Sequence, residues 1–124
     1  MPQRSETPRQ RLGRRGEALA VAFLNSAGYR IERMNVRYPV GEIDIVAREG
    51  EVLCFVEVRS TSSGQWGGPL ASVTEPKRRR LIRAAQWYLA GTPLPPEIRF
   101  DVLAIEWEGD TPRVELIRGA FDAS

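Results

Sequence analysis

Two acidic residues lie inside apolar strand patterns between residues 41 and 59, and they constrain the fold more than any other feature of the chain. Asp44 lies in the mostly apolar run 43–47, and Glu57 lies in the run 53–58. Acids are rare in buried strands unless their carboxylates are paired or bind a metal. The stretch therefore predicts two strands whose acids share one site.

A tight turn at Glu49-Gly50 sets the expected pairing of these strands. A loop of two or four residues would pair Asp44 with Phe55 and would also pair Glu42 with Glu57, so that all four side chains point to one face. Asp44 and Glu57 would then be diagonal neighbours with Cβ atoms roughly 7–8 Å apart, within reach of one hard cation. A bulged loop of three residues would instead place the two acids on opposite faces.

The composition excludes several kinds of catalytic site. The chain of 124 residues has no histidine and one cysteine, Cys54, which rules out Ser-His or Cys-His nucleophiles and zinc sites built from Cys and His. Any metal must be held by oxygen, which favours Mg²⁺ or Mn²⁺. No apolar run approaches membrane-spanning length, and no hydrophobic segment follows the charged N-terminus. Together with the single cysteine, these features predict a cytoplasmic protein with no membrane partner.

The basic residues form two clusters, although the net charge is only +2. One cluster lies near the N-terminus and includes Arg14 and Arg15, and the other contains Lys77, Arg78, Arg79 and Arg80. All basic residues except Lys77 are arginine, which can contact phosphate through two parallel hydrogen bonds. Each cluster alone is typical of a solvated helix face, but two clusters beside an acidic pocket favour DNA as the partner.

The hydrophobic periodicity predicts a single α/β domain with a mixed central sheet flanked by helices. The hairpins are antiparallel, and a helix after Val58 allows a crossover to a parallel neighbour. We expect residues 1–8 to be a flexible leader and residues 119–124 to be a C-terminal tail. The predicted domain, 9–118, contains in order a helix over 9–27, a strand over 29–37, the hairpin, a helix from about 75 to 91, and strands over 98–107 and 113–118.

From Leu12 to Ile105 the chain resembles the YraN-like family of small bacterial proteins. The segments that carry the resemblance occur in the family's order: GRRGEALAVAFLNSAGYRIERMNVR, GEIDIVA, FVEVR, GGPLASVTEPK, AAQWYLA and RFDVLAI. The pattern Asp44-x12-Glu57-x-Arg59 is also similar to the Asp…Glu-x-Lys signature of the PD-(D/E)XK nuclease superfamily. The resemblance implies a restriction-endonuclease-like fold, similar to that of archaeal Holliday-junction resolvases.

The resemblance also implies roles for individual residues. Asp44 and Glu57 would bind the metal, and Glu17 of the GRRGEALA segment would correspond to a third, helical acid, although the residues alone leave Glu17 facing solvent. The family usually has lysine where this chain has Arg59, and arginine can stabilise phosphate charge but is a poor general base. Lys77 matches another lysine of the family pattern, and three roles stay open for it: it could supply the missing amine, contact phosphate or be simply exposed.

Three hypotheses follow. The first is a Mg²⁺- or Mn²⁺-dependent DNA endonuclease for branched or damaged DNA, and a homodimer is expected only because junction-cleaving enzymes often act as dimers. The second is a catalytically weak or inactive nucleic-acid-binding module with the same fold. The third is a structural or interaction protein in which the two strand acids pair with arginines such as Arg37, Arg59 or Arg99.

Overall fold

The computed structural model describes residues 8–62, 67–68, 70–95 and 97–123. The leader predicted over residues 1–8 lies outside the described residues except for Pro8, which begins the first helix. Neither helix in the described part of the chain is long and apolar enough to cross a membrane. The elements are α1 (Pro8–Ser26), β1 (Arg30–Tyr38), β2 (Gly41–Glu49), β3 (Val52–Ser62), α2 (Glu75–Ala90), β4 (Glu97–Glu108) and β5 (Thr111–Phe121).

The strands form one sheet in the order β1-β2-β3-β4-β5. β3 and β4 are parallel and are joined through α2, whereas the other neighbouring strands are antiparallel. The two helices pack on different faces of the sheet, each over its own apolar cluster. This arrangement confirms the predicted mixed sheet flanked by helices, as in a restriction-endonuclease-like fold.

The central strand β3 is covered on both faces, as its apolar run predicts. Val56 packs in the cluster that contains Leu24 of α1, whereas Phe55 packs in the cluster that contains Leu81 of α2. Because side chains alternate along a strand, Glu57 continues the face of Phe55. It therefore points toward α2.

Two glycines allow the helices to come close to the sheet. A Cβ atom at Gly16 of α1 would lie 2.8 Å from Oγ of Ser60 on β3, and a Cβ atom at Gly41 would lie 2.5 Å from the carbonyl oxygen of Arg80. Any other residue at these positions would push the helix away from the sheet. The first half of α2 consequently lies directly over the start of β2.

The last strand is longer than the sequence indicates. β5 runs to Phe121, three residues beyond the predicted end of the domain at residue 118. Phe121 stacks on Phe100 with 5.2 Å between ring centroids, and the backbone N–H of Gly119 donates to Asp101 at 3.0 Å. Residues 119–121, predicted as part of the tail, therefore belong to the sheet.

Candidate functional site

The turn between β2 and β3 lies one residue later than predicted. It consists of residues 50–51 instead of 49–50, and Gly50 has a φ of +61°, a conformation that glycine adopts without strain. The observed pairing of the strands, continued by one position, sets Asp44 directly opposite Glu57. The predicted diagonal arrangement is therefore wrong, but the shared face is retained because the partner of Asp44 changes by two residues.

Strand β2 changes its alternation at Asp44. Ile43 packs in the cluster on the α2 side, although Ile45, two residues later, packs in the cluster on the α1 side. Asn35 lies opposite Asp44 in the pairing of β1 with β2 and has a φ of +52°, so both strands are irregular at the same point. In this irregular segment the Asp44 carboxylate turns to the neighbouring strand, where Oδ2 accepts a hydrogen bond from the backbone N–H of Val58 at 2.8 Å.

The carboxyl groups of Asp44 and Glu57 lie close enough for each to influence the ionisation of the other. Burial and the negative charge of Asp44 raise the pKa of Glu57 to about 7. Burial also raises the pKa of Asp44, although the N–H of Val58 opposes this rise. Two carboxylates in one low-dielectric site cannot both ionise easily, which is why the negative charge of Asp44 raises the pKa of Glu57.

Two cations from different elements surround this acid pair, which we define as Asp44 and Glu57. Nη1 of Arg59 lies 3.5 Å from Oε1 of Glu57, and Nε of Arg59 donates to Oγ of Ser72 at 2.9 Å. Nζ of Lys77 donates to the carbonyl oxygen of Ser72 at 3.1 Å. Ser72 thus holds both cations beside the acids, and burial together with the charge of Arg59 lowers the pKa of Lys77.

The acid pair lies at a cavity of about 470 Å³ between α2 and the start of β2. Glu57, Arg59 and Lys77 line it, whereas Asp44 is absent from the lining and contacts the cavity through Glu57. A volume of this size lies within the range of small-molecule binding sites. The remaining lining residues are Arg37, Tyr38, Pro39, Val40, Gly41, Glu42, Arg80 and Leu81.

The third predicted acid, Glu17, is separated from the acid pair. Oε1 of Glu17 accepts a hydrogen bond from Nδ2 of Asn35 at 2.5 Å, and Asn35 in turn lies opposite Asp44 on β1. Among the described residues, no three Asp, Glu, His or Cys side chains form a group that could hold a metal ion. The structure therefore brings Asp44 and Glu57 together, whereas the side chain of Asn35 lies between Glu17 and these two acids.

Arg14 and Arg15 of the N-terminal basic cluster do not line the cavity. Nη2 of Arg15 lies 3.0 Å from Oδ1 of Asp110, and its guanidinium covers the ring of Trp107 at 4.1 Å from the centroid. Arg14 is exposed beside it. Arg15 is thus already engaged in contacts within the domain.

The basic residues of α2 have different surroundings: Arg78 makes contacts within the domain, whereas Lys77 and Arg80 line the cavity. Nε of Arg78 donates to the carbonyl oxygen of Val73 at 3.0 Å, and its guanidinium lies over Phe121. Arg79 and Arg80 are exposed. Arg80 lines the cavity with Lys77, so these two cations face the acid pair while Arg78 stabilises the end of β5.

A second buried acid, Asp101, has its own partners. It is completely buried and accepts hydrogen bonds from the hydroxyl of Tyr29 at 2.7 Å and from Nε of Arg99 at 2.8 Å. Arg99 also lies 2.8 Å from Glu49, whose other carboxylate oxygen lies 2.7 Å from Arg118. We call these five residues the Asp101 network.

The pairing with arginines that a structural role would require is therefore incomplete at the acid pair. Arg99 contacts Asp101 and Glu49, and Arg37 pairs with Glu42 at 3.4 Å. Of Arg37, Arg59 and Arg99, Arg59 contacts the acid pair, with 3.5 Å between its Nη1 and Oε1 of Glu57. Sequence reasoning missed Ser72 because a serine in a loop rich in glycine and serine has no periodicity that would distinguish it.

Comparisons with known proteins agree on one family. Residues 16–105 match the model of the Uncharacterised protein family UPF0102. A UPF0102 protein from Anaeromyxobacter dehalogenans is 51% identical over 115 residues, which cover 92% of this chain and 86% of the relative. A UPF0102 protein from Desulfosudis oleivorans is 46% identical over 117 residues, 94% of each chain, and one from Moorella thermoacetica is 49% identical over 117 residues, 91% of this chain and 97% of the relative.

Proposed function

This chain belongs to the uncharacterised protein family UPF0102, and we propose that it is a metal-dependent DNA endonuclease of the PD-(D/E)XK type. The observation that carries the proposal is the acid pair at a cavity whose wall is cationic. Two buried carboxyl groups that face one another repel when both are ionised, and this repulsion raises the pKa of Glu57. A divalent cation bound by both carboxylates would relieve that repulsion.

The residues of the acid pair fit a hard divalent cation. Mg²⁺ in enzymes is commonly held by one or two carboxylates, with water and substrate phosphate completing its octahedron. Oδ2 of Asp44 already accepts the N–H of Val58, so Oδ1 of Asp44 and the oxygens of Glu57 are the candidate ligands. When bound, Mg²⁺ or Mn²⁺ would lower the pKa of a coordinated water and neutralise charge on the phosphate.

Glu17 has an indirect role in this proposal. Its hydrogen bond to Asn35 fixes the irregular segment of β1 that lies opposite Asp44. Movement of the Asn35 side chain would be needed before Glu17 could join the acid pair as a third ligand. We therefore propose that Glu17 orients the site and that Asp44 and Glu57 are sufficient for metal binding.

Arg59 and Lys77 have different tasks at the cavity. Arginine remains protonated, so Arg59 stabilises negative charge on the phosphate and does not accept a proton. Lys77 has a lowered pKa and can exchange a proton more readily. Lys77 thus supplies, from α2, the amine that the resemblance places at the position of Arg59.

The second candidate function is a DNA-binding module without turnover. The observation that favours it is Arg59 itself, which is held by Ser72 and by Glu57. A cation fixed in this way can bind phosphate, but it cannot activate water. Under this alternative, the cavity binds DNA backbone and Lys77 contributes charge only.

A cleavage assay tests the proposed activity. Supercoiled plasmid and branched duplexes are incubated with Mg²⁺ or Mn²⁺ and with wild type or Glu57→Gln, and we expect the variant to lose activity by about a hundredfold or more. Glu51→Gln is the matched control, because Glu51 is an exposed acid of the same hairpin. Equal cleavage by wild type and Glu57→Gln would disprove the assigned mechanism. Metal-independent DNA binding without any cleavage would support the module instead.

DNA binding by the cavity wall can be measured separately. The logarithm of the dissociation constant should rise steeply with salt, because each phosphate contact releases counterions. Arg80→Gln should reduce the salt slope by about 1. Arg30→Gln, at the opposite end of β1 from the cavity residues Arg37 and Tyr38, is the control and should leave the slope unchanged.

A further inference from the structure

An aromatic surface continues from the cavity onto the outer side of α2. Trp87 leaves 49% of its surface exposed, and its ring packs against Tyr38 with 5.5 Å between centroids and a tilt of 44°. Tyr38 lines the cavity. Trp87 and Tyr38 therefore form a surface, here called the aromatic platform, that adjoins the proposed site.

The hydrophobic core does not require Trp87 at this position. The buried side of α2 is formed by Leu81, Ala84, Ala85 and Tyr88. Trp87 lies between Ala85 and Tyr88 in the sequence, but its ring is directed toward Tyr38 and solvent. A large ring that is half exposed beside a site leaves one apolar face open to a ligand, while its packed face contacts Tyr38.

The charges around the aromatic platform suit a nucleic-acid strand. Arg80, Arg83 and Trp87 are spaced by three and four residues, so they lie along one face of α2. Both arginines are exposed, and Arg80 also lines the cavity. Cations beside an aromatic face match the alternation of phosphate and base in a single strand.

We infer that the aromatic platform stacks on an unpaired base, and that the substrate class is DNA with unpaired nucleotides next to the phosphate held in the cavity. In a duplex the face of each base is covered by its neighbours, and proteins reach only the edges in the grooves. The face of an aromatic ring such as Trp87 can engage a base only where that base is unstacked, as in a flap, gap or branch. This inference rests on the proposed function, since the cavity is taken to hold a phosphate.

The test measures binding with cleavage suppressed by chelation of metal. Fluorescence anisotropy compares a fully paired duplex, a duplex with a single-stranded flap, and the same flap with abasic nucleotides, each with wild type, Trp87→Ala and Trp87→Phe. We expect Trp87→Ala to weaken binding of the flap by about tenfold and to leave the paired and abasic substrates unchanged. Trp87→Phe should restore most of the affinity, and Leu94→Ala, which alters another exposed apolar side chain, should have no effect.

Each other outcome contradicts the inference in an identifiable way. Equal losses on paired, flapped and abasic DNA would mean that Trp87 does not recognise bases. A change of sedimentation coefficient in Trp87→Ala, with unchanged DNA affinity, would identify the aromatic platform as a contact between two copies of the chain. The experiment separates failure of the proposed function from failure of this inference. If wild type does not cleave DNA, the proposed function is wrong but the binding comparison can still be made. If wild type cleaves paired DNA and DNA with unpaired bases equally well, only the inference is wrong.

Discussion

The acid pair and the Asp101 network both place carboxylates inside the same sheet, but they surround those carboxylates with different partners. Asp101 is completely buried, yet Tyr29, Arg99 and the backbone of Gly119 all donate hydrogen bonds to it. Glu57 is slightly more exposed, with 17% of its side chain accessible, and its partners are another acid and an arginine at 3.5 Å.

The difference shows that the partners of a buried acid, more than its burial, indicate its role. A carboxylate whose lone pairs are filled by donors is satisfied and contributes to stability. When two carboxyl groups face one another, ionising both is unfavourable, and a bound cation removes this electrostatic cost. The Asp101 network therefore maintains the fold, and the acid pair is available for a ligand.

The largest expected effect concerns the Asp101 network. Asp101→Asn should lower the free energy of unfolding by about 4 kcal/mol. The amide nitrogen would face either Tyr29, which donates to Oδ2, or Gly119, which donates to Oδ1, and Arg99 would lose the negative charge that compensates it. Urea unfolding measures this change. Asp110→Asn is the control, since its side chain is 99% exposed in the ion pair with Arg15 and should not affect stability. A loss below about 1 kcal/mol at Asp101 would remove one side of the comparison.

Replacing a carboxylate of the acid pair should raise the free energy of unfolding, whereas the replacement at Asp101 lowers it. The pKa of Glu57 is raised from 4.5 to about 7, so between these values the folded state holds a proton that the unfolded state has released, and stability falls as the pH rises. Glu57→Gln mimics the protonated form, and at about pH 8 it should be more stable than wild type by about 3 kcal/mol in the absence of metal.

Urea unfolding of wild type and Glu57→Gln, measured from about pH 4.5 to about pH 8, tests this prediction. The stability of Glu57→Gln should converge with that of wild type as the pH approaches about 4.5, while Glu51→Gln should follow wild type throughout. A Glu57→Gln variant that is less stable than wild type in alkaline solution would show that the Glu57 carboxylate is satisfied by Arg59.

Metal should distinguish the two regions by binding to one of them. Mn²⁺ at about ten times its dissociation constant should stabilise wild type by about 1.4 kcal/mol, which thermal denaturation with and without a chelator detects. Asp44→Asn should abolish this shift, and Asp101→Asn should retain it despite a lower melting temperature. A shift that persists in Asp44→Asn would place the metal elsewhere.

The smallest expected effect lies at the edge of the Asp101 network. Hydrogen bonds from Arg118 lower the pKa of Glu49, against a smaller opposing effect of burial. This stabilisation is present above the ordinary pKa and is lost as the pH falls through the lowered value. Glu49→Gln should therefore cost about 1 kcal/mol at neutral pH and nothing in strong acid, the reverse of the trend at Glu57. A cost independent of pH would indicate lost packing.

Much of the architecture follows from local patterns. Apolar alternation located both strands of the hairpin, and Gly28 and Gly91 lie directly beyond Ala27 and Ala90, close to the ends of the two helices. These signals arise within a few residues, so each can be interpreted without knowledge of the rest of the chain. The same locality explains why the end of β5 was missed, because residues 119–121 are held by contacts with β4.

The sequence by itself excluded His-based chemistry and predicted a hairpin with two acids, which share one face if its loop has two or four residues. It also made an oxygen-ligated cation the candidate cofactor. Only the tertiary structure decided that Asp44 lies opposite Glu57, that Glu17 binds Asn35, that Arg99 belongs to Asp101, and that Trp87 adjoins Tyr38. The physical reason is that composition and periodicity express which surfaces each segment buries. The partner of a charged or aromatic side chain depends instead on strand register and helix placement, which arise from contacts between residues distant in the chain.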